Sequence, residues 1–189
     1  MQPIFKAALG PQQALAELLK TNPGLATERQ AADELVSGVH WLYLGDTPLH
    51  LAAAAARPGA VKALLAAGAD PHAINRRKAC PLHYACDPRP DSDRWSGADQ
   101  ATVIGLLVAA GADPNAQDMD RTAPLHRAVR ARSASAVAAL LQAGADARLV
   151  SGKGSSPMDL TRHSTGAGGT AGSRHARDEI VALLEAAGA

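Results

Sequence analysis

The chain reads as an all-α solenoid of stacked helix pairs, and three observations predict it. The tripeptide Pro-Leu-His recurs at Pro48-Leu49-His50, Pro81-Leu82-His83 and Pro124-Leu125-His126, with a worn copy at Pro157-Met158-Asp159. The prolines stand 33, 43 and 33 residues apart, a period that marks helical units leaning on their neighbours. A Gly-Ala-Asp closer follows the first three copies at Gly68, Gly111 and Gly144, and Gly188-Ala189 follows the fourth. An apolar residue (Val61, Ile104, Val137, Val181) stands seven before each of these glycines. Finally, aromatics make up only 3% of the chain, so Ala and Leu must fill the interior, which suits thin helices in close contact.

At 189 residues the chain is long enough for one full core, and a single domain over residues 1–189 is expected. The net charge of +1 gives no pull toward nucleic acid or anionic membrane, and no stacking platform accompanies the bases. Cys80 and Cys86 make neither a disulfide framework nor a zinc spacing and read as buried thiols. No apolar run reaches the roughly 18 residues of a membrane span, and none near the N-terminus has signal-peptide length. The expectations are a cytoplasmic location, no membrane contact, no cofactor and no metal.

Residues 3–27 read as a capping half-repeat. Ile4, Phe5, Ala8 and Leu9 suit one short helix, and Pro11 suits the first turn of a second. Ala14, Leu15, Leu18 and Leu19 recur at helical spacing until Asn22-Pro23-Gly24 stops them. Residues 28–43 are additional to the repeat. Thr27 and Gln30 read as a capping box for an extra helix over 28–36, with Ala31, Leu35 and Val36 inward and Gly38 as terminator. The alternating residues 39–44 then read as half a hairpin, an extended finger.

Repeat one spans 44–73, with a helix from Pro48 and a second opened by Pro58, whose stripe is Val61, Leu64 and Leu65. Gly68 is its left-handed C-cap. Repeat two (74–116), repeat three (117–148) and a C-terminal cap repeat (149–189) keep that register. Repeat two carries an insertion at 87–100, where Asp87, Asp91, Asp93 and Asp99 face Arg89 and Arg94. The last repeat carries one at 163–177, whose run of Gly, Ser, Thr and Ala cannot pack and is expected to be flexible.

Thr47-Pro48-Leu49-His50, the Gly-Ala-Asp closers and the paired leucines resemble the ankyrin-repeat family, over residues 44–189 and in weaker form over 3–22. The resemblance implies a right-handed stack of helix-loop-helix units with β-hairpin fingers along one edge. It also implies a concave face of finger tips and first helices, used for protein–protein recognition without catalysis. Lys78 and Arg121 stand where Gly45 and Gly154 supply the family's glycine; held left-handed, each would cost about 1 kcal/mol.

His50, His83 and His126 fall on successive repeats, about 10 Å apart by helix-packing distances, too far to share one metal. Each is expected to bond backbone groups between neighbours. Cys80 beside His83 suggests a nucleophile and base, but its place just before a helix makes it a weak cap instead. The residues assigned to a partner are Trp41 and Tyr43 in the first finger, Arg76 and Arg77 in the second, Tyr84 on the first helix of repeat two, and Arg127 and Arg130 on that of repeat three. Trp41 and Tyr43 also read as packing for the extra helix. The arginines favour a partner with an acidic surface. The expected function is a monomeric, non-catalytic module that binds another protein. One alternative is an inhibitor or immunity protein sequestering a single toxin or enzyme. Another is a small-molecule or hydrolytic site at 87–100, for which Asp91, Asp93 and Asp99 would have to converge.

Overall fold

The computed structural model describes residues 2–36, 40–87, 96–162 and 171–189. Among these residues, five helix pairs follow one another: α1 (Pro3–Leu9) with α2 (Gln12–Thr21), α3 (Pro48–Ala54) with α4 (Pro58–Ala66), α5 (Pro81–Ala85) with α6 (Gly97–Ala109), α7 (Pro124–Arg130) with α8 (Ala134–Gln142), and α9 (Pro157–Arg162) with α10 (Ala171–Ala186). First helices pack on first helices along the stack, α1 to α3 to α5 to α7 to α9, and second helices do likewise from α2 to α10. The result is a two-layer all-α solenoid. Its core lies between the layers and is built from Leu, Ala and a few β-branched residues, including Leu49, Leu64, Leu82, Ile104, Leu125, Val137 and Leu140. Ile4, Phe5, Leu15 and Leu19 close it at the N-terminal end. Arg57 secures that cap by donating to the Leu9 and Gly10 carbonyls at the C-terminus of α1, where a cation also meets the negative end of the helix dipole.

The Pro-Leu-His copies work as combined starts and staples. Proline occupies the first turn, where its missing N–H leaves no bond unmade. Two positions on, the histidine Nδ1 accepts the N–H of the capping residue, from Thr47 at 3.0 Å, Cys80 at 3.2 Å and Ala123 at 3.2 Å. That acceptance fixes the proton on Nε2, which donates into the next repeat: His50 to the Ala79 carbonyl (3.1 Å), His83 to Thr122 (3.0 Å) and His126 to Ser155 (3.1 Å). In the fourth copy, Asp159 accepts from the Ser156 N–H and hydroxyl and returns its own N–H to the Ser156 hydroxyl. This keeps the cap and drops the staple.

Second helices end as the sequence predicts. Gly68, Gly111, Gly144 and Gly188 all sit at positive φ between 82° and 102°, just past the helix. Val61, Ile104 and Val137 are buried, whereas Val181 is half-buried because α10 has a second-layer neighbour, α8, on one side only.

The second and third finger turns are each held by a side chain six residues before the motif proline. Asn75 Oδ1 accepts from the Arg77 and Ala79 amides, and Asp118 Oδ1 from the Asp120 and Thr122 amides. The turns put Lys78 at φ 56° and Arg121 at φ 52°. Replacing Lys78 with glycine should raise stability by about 0.5 kcal/mol, because the left-handed strain removed exceeds the entropy glycine adds to the unfolded chain. A lower urea midpoint for that variant would contradict it. One backbone bond joins each finger to the next: Arg76 N–H to the Leu44 carbonyl, Met119 N–H to Arg77, and Gly152 N–H to Asp120, at 2.9 to 3.0 Å. At Gly152 a Cβ would stand 2.6 Å from the Asp120 oxygen.

Five expectations are corrected. The extra helix over 28–36 does not form. Instead a 3-10 turn spans Pro23–Thr27, and β1 (Glu34–Val36) pairs antiparallel with β2 (His40–Leu42). Gln30 exchanges backbone bonds with Gly45 and Asp46, and the Thr27 hydroxyl turns back to the Gly24 carbonyl. A nine-residue helix is marginal alone, and the alternating strand beside it needs a partner edge. Leu35, expected inward, is exposed, and Gly38 lies outside the described residues.

The insertion at 87–100 ends earlier than expected. Residues 88–95 lie outside the described residues, but Ser96 caps α6 and residues 97–100 form its first turn. Gln100 there is wholly buried; it donates to the Ala85 carbonyl and accepts from the Ser133 hydroxyl at 2.6 Å. The insertion at 163–177 is likewise shortened: residues 163–170 lie outside the described residues, and 171–177 begin α10. Pro11 stands just before α2 rather than inside its first turn.

Candidate functional site

Apolar side chains buried between layers need no further role, so those left in water mark the surface of interest. Among the described residues, the large hydrophobic side chains left exposed are Leu35, Trp41, Leu44, Ile74, Met119 and Val150, between 42% and 57% accessible. All six belong to the four finger segments. Trp41, Ile74 and Val150 stand at one register, seven residues before their motif prolines, so the repeat sets them in a column; Gln117 takes that place in the third finger. Leu35 pairs directly opposite Trp41 in the hairpin. Sequence reading found Trp41 but missed the other five. The available signal was the shared offset from proline.

Tyr43 lies two residues from Trp41, half-buried against the core. The guanidinium carbons of Arg76 and Arg77 lie 5.4 and 5.5 Å from its ring centroid, within cation–π range. Arg76 also pairs with Asp33, and Arg77 with Asp120 at 3.2 Å. The two cations remain about half-exposed, so they can exchange these surface pairs for others at little net cost. The structure thus brings Trp41, Tyr43, Arg76 and Arg77 together on the finger edge.

The other three assigned residues do not join them. Tyr84 is 1% exposed. Its hydroxyl donates to Asp46 Oδ2 at 2.7 Å and accepts from Asn75 Nδ2 at 2.9 Å, and its ring meets His50 edge-on at 5.0 Å. Burial and the Asp46 carboxylate push its pKa well up. Arg127, 11% exposed, is spent on Asp118 (2.8 Å) and Asp87 (3.5 Å). Burial pushes the Asp118 carboxyl up, but the Arg127 bond and the Thr122 and Asp120 amides outweigh it and hold it below the ordinary value. Tyr84 and Arg127 share a register, one residue after the motif histidine, with Leu51, which is wholly buried. That column turns under the finger of its own repeat. Arg130 is exposed, but at the last turn of α7, the end remote from the fingers.

The chemistry of the remaining candidates is structural. Cys80 Sγ lies 3.1 Å from His83 Nδ1, which already accepts the Cys80 amide. Burial raises the Cys80 thiol and pushes the His83 imidazole down to about 4, so both are neutral near pH 7 and no thiolate forms. Among the described residues, no group of three or more His, Cys, Asp or Glu side chains could hold a metal ion. Asp91 and Asp93 lie outside the described residues, and Asp99 sits in the first turn of α6. No described helix is long and apolar enough to cross a membrane.

The family model described as Ankyrin repeat matches residues 44–76 and 79–119. No curated protein matches the chain. Beyond the matched residues, the staple of His126, the left-handed Gly144 and Gly188 and the finger bond of Gly152 repeat the geometry of the first two units.

Proposed function

We propose, from the two ankyrin repeats matched at residues 44–76 and 79–119, that the chain binds a partner protein along its finger edge, as a cytoplasmic monomer and without catalysis. Repeats of this kind generally serve protein–protein interaction. The observation that carries the reading is the confinement of all exposed large apolar side chains, among the described residues, to the fingers. Trp41 and Ile74 are the apolar anchors, and Arg76 and Arg77 beside Tyr43 supply charge for acidic groups on the partner. The partner presents an apolar ridge flanked by carboxylates.

Joint replacement of Trp41 and Ile74 by alanine should weaken partner binding by at least about 30-fold, as loss of two interface anchors does. The melting temperature should stay within about 2 °C, since both side chains are half in water. The comparison is affinity capture with wild-type and variant protein as bait, followed by titration of the captured protein. Equal capture by both baits would place the interface elsewhere; a large fall in melting temperature would make these residues packing groups.

A further inference from the structure

At the ends of α7 and α9 remote from the fingers lies a shallow groove between repeats three and four. Val129, Leu160 and Ile180 make an apolar floor, with Val129 and Ile180 buried. Arg130, Arg132 and Arg177 line it from three separate segments: the last residue of α7, the turn before α8, and α10. Arg132 holds its place at φ 55°, a conformation that side chains other than glycine seldom adopt.

These three arginines share one groove, and their guanidinium groups are unengaged, unlike those of most described arginines. Arg76, Arg77, Arg127 and Arg162 pair with carboxylates, and Arg29, Arg57 and Arg148 bond carbonyl oxygens. Among the described residues, the guanidinium groups of Arg130, Arg132 and Arg177 make neither kind of contact. Asp178 and Glu179 adjoin Arg177 in sequence and are exposed on α10, yet neither comes within ion-pair distance of these three.

Three like charges lining one apolar floor define a ligand chemistry. A carboxylate brings one charge and two oxygens and leaves one guanidinium unmatched. A phosphoryl group brings nearly two charges and three oxygens, each able to accept from a guanidinium fork. The floor is suited to carbon. We propose that this groove binds a phosphomonoester, its phosphoryl group among Arg130, Arg132 and Arg177 and its organic stem against Val129, Leu160 and Ile180. The ester is carried either by a modified side chain of a protein or by a free small molecule. The groove stands apart from the fingers, so its failure would leave the reading of that edge untouched.

The test is calorimetric titration of the full chain with phenyl phosphate, inorganic phosphate and benzoate at low ionic strength. Phenyl phosphate should bind saturably with Kd below about 1 mM, and inorganic phosphate more weakly for want of the stem. Arg130→Gln with Arg177→Gln should weaken phenyl phosphate by at least about tenfold while far-UV circular dichroism is unchanged. A phosphotyrosine peptide binding about tenfold tighter than phenyl phosphate assigns the ester to a protein, and equal affinity assigns it to a small molecule. Benzoate matching phenyl phosphate, no saturation below about 10 mM, or equal binding by the variant would overturn the proposal.

Discussion

Acidification from pH 7 to pH 4 should lower the unfolding free energy by about 3 kcal/mol through His83 alone. The ring is wholly buried, its Nδ1 accepts the Cys80 amide and its Nε2–H reaches the Thr122 carbonyl. A second proton would displace the Cys80 N–H and meet only the weakly accepting Cys80 sulfur at 3.1 Å. Burial, reinforced by the Arg127 charge, therefore pushes the group from its ordinary 6.5 to about 4. Between those values the unfolded chain binds more protons than the folded one, so this stability is whole above about pH 6.5 and is lost as the pH falls to about 4. His50 and His126 are also held below their ordinary value by burial and act in the same direction. Asp118 adds to the loss once the pH passes below its ordinary 3.8, because its folded carboxyl is held lower still. Urea titrations at pH 7, 5.5 and 4 measure the effect. A free energy that stays flat across that range would show the staples to be replaceable by water.

Replacing Asp46 with alanine should cost about 3 kcal/mol, as breaking a buried charged network does. The carboxylate is wholly buried and accepts from the Tyr43 amide (2.6 Å), the Tyr84 hydroxyl (2.7 Å) and the Asn75 side chain (2.8 Å). It ties the first finger, the second finger and α5 together at one point. Without it the Tyr43 N–H, the Tyr84 hydroxyl and the Asn75 side-chain amide all lose a shared acceptor. Asp46→Asn, which retains an acceptor oxygen, should lose less than half as much. Equal losses for the two variants would mean that the negative charge, rather than the hydrogen bonds, holds the site.

What could be read from sequence was what local chemistry decides. Proline in a first turn, histidine two residues on and glycine after a helix act within a few residues of themselves, so the repeat could be placed before any contact was known. Tyr84 failed because its direction depends on Asp46, 38 residues away, and on a helix of five residues with little periodicity to read. The equivalent Leu51 was the better guide to that column. The segment 28–36 failed for a related reason: a capping pattern and an alternating strand competed for one stretch, and pairing across the hairpin won. The finger edge was only half legible, because single exposed hydrophobics carry no signal until the repeats are laid over one another.

The touch between Gly152 and the Asp120 oxygen makes one surface position unusually intolerant. Even a methyl group there has to push the last two loops apart, and the gap would open between Met119 and Val150. Breadth of the exposed apolar strip is thus governed by a residue with no side chain of its own. A residue larger than glycine at this position would be expected to respace that strip before it disturbs the helical core.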